Sequence, residues 1–87
     1  MGLKTLLSKL AEFFDMDANA RDQKKEELQD LLSRLKSKEV QLKEEMEAEQ
    51  NEELKSKLSQ QIDVVHTQRK KGVKMLIELR GEGVNDS

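Results

Sequence analysis

Leu3, Leu6, Leu7, Leu10, Phe13 and Phe14 recur at the three- and four-residue steps that gather side chains on one stripe of an α-helix. Lys4, Thr5, Ser8, Lys9 and Glu12 fill the other side, which predicts an amphipathic helix over about residues 3–14. The polar stretch DMDAN ends it, because Asp and Asn compete for backbone hydrogen bonds, and Asp17 or Asn19 is placed to cap the next helix.

A second stripe, Leu28, Leu31, Leu32, Leu35, Leu42 and Met46 with Val40 off the line, predicts a helix over about residues 20–48 with a narrow seam of coiled-coil type. Asp30 with Arg34 and Glu39 with Lys43 are acid-first pairs four residues apart, the stabilising orientation. A third stripe, Leu54, Leu58, Ile62, Val65, Gly72 or Val73, Leu76 and Leu79, predicts a helix over about residues 52–80. Arg80 followed by Gly81 reads as its end, with residues 81–87 a disordered tail.

Between the second and third stripes lies EAEQNEE, which holds no apolar residue larger than alanine. It is either the polar middle of one very long helix or a tight turn near Gln50 and Asn51, with Asn51 as the following N-cap. The stripes favour the turn. The position numbers of Met46 and Leu54, of Leu42 and Leu58, of Leu35 and Val65, and of Leu28 and Gly72 all add to the same total, as facing residues of an antiparallel hairpin must. At the far end the mirror fails, because Leu76 and Leu79 would face Lys24 and Arg21. The first helix supplies the missing cover, forming a small core with Val73, Leu76, Ile77 and Leu79. The expected fold is therefore all-α: one domain over residues 1–80, an antiparallel two-helix coiled-coil hairpin with a short N-terminal amphipathic helix packed on its open end.

Composition agrees with long, solvent-facing helices. Apolar residues are 34% of the 87, against roughly 45 to 50% in typical soluble domains on a count that includes glycine, so a large core is excluded. With no cysteine there is no disulfide, thiolate metal site or thiol nucleophile. The longest apolar runs fall far short of the roughly 20 residues of a membrane span. Lys9 and Glu12 interrupt the opening stretch as a secretory signal, and Leu6 stands where a Gly2 lipidation signal wants Ser or Thr. A cytoplasmic setting is expected.

Charge divides the hairpin into an acidic turn and a basic open end. Glu44, Glu45, Glu47, Glu49, Glu52 and Glu53 crowd the turn, while Arg21, Lys24, Lys25, Arg69, Lys70, Lys71, Lys74 and Arg80 gather at the other end. At about 100° per residue from Val65, Lys70, Lys71 and Lys74 point to water, and Arg69 lies near the seam where Asp30 or Glu27 would meet it. Gly72 falls in the stripe opposite Leu28, where its missing side chain admits Phe13 or Phe14; a packing reason outweighs a hinge.

Catalytic chemistry has little to work with. His66, the single histidine, falls on the flank of the third helix beside Ile62 and Val65. Glu45, Glu49, Glu52 and Glu53 form a solvated acidic turn without the spaced oxygen ligands and glycine of a calcium loop. No enzyme activity, cofactor or metal is expected. The expected function is a non-enzymatic helical protein–protein interaction or scaffold module that self-associates or binds another protein. Its interaction residues would be Leu3, Leu6, Leu7, Leu10, Phe13, Phe14, Leu76 and Leu79. Two alternatives remain: a nucleic-acid-binding protein using the basic patch Arg69, Lys70, Lys71 and Lys74, and a peripheral membrane adaptor using the helix from Leu3 to Phe14. Net charge of −2, with Phe13 and Phe14 the only aromatics and both on an apolar stripe, disfavours binding by base stacking.

Overall fold

A computed structural model describes residues 2–85, with side chains described as far as Leu79. Four helices follow one another: α1 (Leu3–Phe14), α2 (Ala18–Gln23), α3 (Lys25–Ala48) and α4 (Glu52–Asn85). The helices α3 and α4 form an antiparallel hairpin, and α1 folds back along its open half. The molecule measures 50 × 26 × 16 Å.

Local chemistry sets the boundaries. The Ala20 N–H donates to Asp17 Oδ1 at 2.8 Å, so Asp17, one of the two expected caps, starts α2. At the turn, Asn51 Oδ1 accepts from the N–H groups of Glu53 at 2.9 Å and Leu54 at 3.1 Å, and this caps α4. Glu49 is extended, with ψ of 130°, and its carboxylate accepts from the Asn51 N–H at 3.1 Å. The polar stretch is thus a turn of residues 49–51, as expected, and Glu52 and Glu53 sit where the positive end of the α4 dipole favours them.

Two boundaries differ from expectation. The helix expected over residues 20–48 is broken at Lys24 (φ −111°, ψ 22°) into α2 and α3. The break accompanies a tie between α2 and the end of α1: Arg21 donates from Nε to the Phe13 carbonyl at 2.9 Å and from Nη2 to the Phe14 carbonyl at 3.0 Å. Both are carbonyls that the end of a helix leaves without an intrahelical partner, and the Phe13 oxygen also accepts from the Met16 N–H at 3.2 Å. The helix expected to stop at Arg80 continues to Asn85, so Gly81 does not end it; a glycine permits a left-handed stop without compelling one. Of the expected tail, residues 86–87 lie outside the described residues.

The core occupies the open half of the hairpin. Leu6, Leu10 and Phe13 of α1 are buried against Leu28, Leu31, Leu32 and Leu35 of α3 and Val65, Met75 and Leu76 of α4. Leu3, Leu7, Phe14, Val73 and Leu79 are half-buried at its margin. Ile77, expected in this core, is 60% exposed, and Met75 is buried instead. Met75 lies on the side of α4 that meets α2, whereas Ile77, two residues on, is turned about 200° away.

Pairing along the seam is offset toward the open end from the expected mirror. A Cβ built on Gly72 meets Leu32 Cδ2 at 2.6 Å and Leu10 Cδ1 at 3.1 Å, so Leu32 and Leu10 occupy the space expected for Leu28 and a phenylalanine. The reason is the lean of helical side chains toward their own N-terminus. On α3 that direction is the open end, so Leu32 covers Gly72, about one turn beyond the position its number suggests.

Candidate functional site

One buried charged residue interrupts the apolar seam. Glu39 follows Leu35 by four residues and precedes Leu42 by three, a core position by spacing, and it is 1% exposed. Opposite it, α4 offers Arg69 between Val65 and Val73 where the stripe would otherwise carry an apolar side chain. Arg69 donates from Nε to Glu39 Oε1 at 2.8 Å, Lys43 Nζ lies 3.4 Å from Oε2, and His66 Nδ1 lies 3.1 Å from Oε2. An ionised carboxylate only accepts hydrogen bonds, so the proton of that last contact resides on Nδ1.

Burial by itself pushes the Glu39 carboxyl up, and the surrounding donors reverse it. Hydrogen bonds from Arg69 and His66, then the Arg69 charge and the Lys43 contact, bring the group down from 4.5 to about 2. Glu39 is therefore ionised at neutral pH. Among the described residues, no buried side-chain nitrogen or oxygen lacks a partner.

The cluster corrects the expectation for Arg69, which meets neither Asp30 nor Glu27. Asp30 pairs within its own helix with Arg34 at 2.9 Å, and it lies nine residues from Glu39, about 13 Å along α3. Arg69 is 16% exposed on its side chain, so it belongs to the seam and not to the basic patch. Lys70, Lys71 and Lys74 are exposed and find no ion-pair partner among the described residues. His66, 46% exposed on its side chain, was expected on the flank of α4 and is there, but its bond to Glu39 was not foreseen. The spacing of Leu35, Glu39, Leu42 and Met46 carries the signal for a seam carboxylate, which the Lys43 pair on the same helix masks.

The expected interaction residues are divided by the fold. Leu6, Leu10, Phe13 and Leu76 are buried, and Leu3, Leu7, Phe14 and Leu79 are half-buried against the same core. The larger exposed apolar residues are elsewhere: Val40, Leu54, Val64 and Ile77. Leu54 and Val64 belong to the turn half of α4, where Leu42, Met46 and Leu58 are only half-buried. In the acidic turn, Glu45, Glu52 and Glu53 are exposed and Glu49 is half-buried.

Chemically, Glu39 and His66 make a carboxylate-oriented imidazole at the edge of the seam. Among the described residues no group of three metal-ligating side chains accompanies it. None of the helices is long and apolar enough to cross a membrane, among the residues described. Comparison of the chain with protein-family models, with curated proteins and with solved structures finds no match in any of the three.

Proposed function

We propose that this chain is a non-enzymatic helical interaction module whose partner is a second copy of itself. The observation that carries the reading is the contrast between the two halves of the hairpin. The open half has α1 as a third helix, while the turn half is a bare pair of helices whose seam is half-covered and whose Leu54 is 47% exposed. A core this thin gains from association, since a chain of this size draws only a few kcal/mol from a single small core. The acidic turn favours an antiparallel arrangement in which it meets cationic side chains of the other copy. The cysteine-free composition supports a cytoplasmic setting.

Light scattering over a concentration series tests this. The expected mass is twice the 10.0 kDa of the chain, with dissociation favoured by added salt. A mass of one chain throughout would overturn the proposal.

One observation favours a second reading, nucleic-acid binding: Lys70, Lys71 and Lys74 leave an exposed cationic patch on the back of α4. That reading requires affinity for duplex or RNA that falls steeply with salt and weakens when the three lysines become Gln. A membrane-surface role is supported less well, because Leu6, Leu10 and Phe13 would have to leave the core to reach lipid.

A further inference from the structure

We infer that the second copy docks with its acidic turn in the groove between the start of α1 and the middle of α4, so that the two bare turn halves pair antiparallel. This rests on the self-association proposed above and adds where it occurs.

The groove begins where α1 stops covering the hairpin. Leu3 and Leu7 form one wall, Gln61 and Val64 the other, and Lys4 and Lys57 stand at its rim, around an open volume of about 560 Å³. Val64 is 50% exposed although the adjacent Val65 is fully buried. Lys57, Gln61 and Val64 are spaced by four and three residues, and Leu54 precedes Gln61 by seven, so one face of α4 runs from the groove to the turn.

Charge complementarity selects the occupant. Glu44, Glu45, Glu47, Glu52 and Glu53 are exposed at the turn, and neither they nor Lys4 and Lys57 form an ion pair among the described residues. An acidic, partly apolar helical tip is what an apolar groove with a cationic rim accepts, and this chain carries one. The geometry closes on itself. Leu54 lies on α4 between the turn and the groove, so a twofold axis passing just beyond it, toward Lys57, delivers each turn to the other copy's groove and leaves the two Leu54 side chains close to the axis.

The test compares the full chain with four variants, each checked for helicity by circular dichroism. Val64→Glu is expected to weaken the dimer by about tenfold or more, whereas Ile77→Glu, an exposed apolar position away from the groove, leaves it unchanged. Leu54→Cys introduces the chain's only thiol and is expected to form a disulfide-linked dimer on mild oxidation; Ile77→Cys is not. The thiol pair decides the matter even if Val64→Glu fails to fold. A wild-type chain that is monomeric at every concentration overturns both the inference and the self-association it rests on. A wild-type dimer that Val64→Glu leaves intact, or that cross-links through Ile77→Cys and not Leu54→Cys, overturns the groove alone.

Discussion

Arg69 Nε stands 2.8 Å from Glu39 Oε1 in an otherwise apolar seam, and the two charges are each other's strongest partners there. Removing Glu39 leaves Arg69 in the seam without its carboxylate, and removing Arg69 leaves Glu39 buried with only Lys43 and His66. Glu39→Leu or Arg69→Leu alone is expected to cost about 3 to 5 kcal/mol, while the double substitution is neutral or even stabilising by about 1 to 4 kcal/mol, because two apolar side chains of similar volume need no desolvation. Denaturant unfolding of the three variants measures the coupling. Additive losses would show that the pair does not act as a unit.

Acid should weaken the fold through the same carboxylate. Its folded value of about 2 lies below the ordinary 4.5, so its contribution is fully present above about pH 4.5 and is lost as pH falls through 2. That depression corresponds to about 3 kcal/mol. The diagnostic quantity is the stability difference between the wild type and Glu39→Gln. It is expected to shrink as pH falls from about 4.5 to 2. A difference that does not change with pH would contradict the assignment.

Gly72 is a test of close packing. Alanine would gain about 1 kcal/mol of helix propensity, but its methyl would collide with Leu32 Cδ2, at a cost of about 1 to 3 kcal/mol for overpacking. Gly72→Ala is expected to be destabilising by no more than about 2 kcal/mol, and Leu32→Ala by about 2 to 5 kcal/mol. Together they should cost less than their sum by about 1 kcal/mol or more, since the new methyl enters the space the leucine leaves. Thermal unfolding of the double-mutant cycle reads this coupling directly.

Arg21 fastens α1 to α2 through two carbonyls. Arg21→Ala is expected to cost about 2 kcal/mol, and Arg21→Lys to recover little of it, because an ammonium lacks the planar fork that reaches the Phe13 and Phe14 oxygens together. Amide hydrogen exchange should accelerate in α1 before it does in α3 and α4.

Much of this fold was legible because local chemistry and apolar spacing point the same way. Asn51 capped the third long stripe, and Leu6, Leu10 and Phe13 had a face to bury and a place to bury it. What escaped notice depended on relations between helices. A sum of positions ignores the lean of side chains, so Gly72 was set against Leu28 when it meets Leu32. Glu39 looked satisfied by Lys43 on its own helix, which concealed the stronger partner thirty residues away. The break at Lys24 accompanies the reach of Arg21 to α1, which no pattern within residues 20–48 records.

A ladder of leucines can slide by a heptad with small loss, since each rung resembles the next. Glu39 and Arg69 remove that freedom. Sliding α4 seven residues one way would set Glu39 against Leu76 and Arg69 against Met46; sliding it the other way would set them against Ile62 and Leu32. Either slip strands two charges in an apolar layer at several kcal/mol each. The hairpin consequently has one alignment it can keep, and a misaligned collapse has a strong reason to come apart and try again.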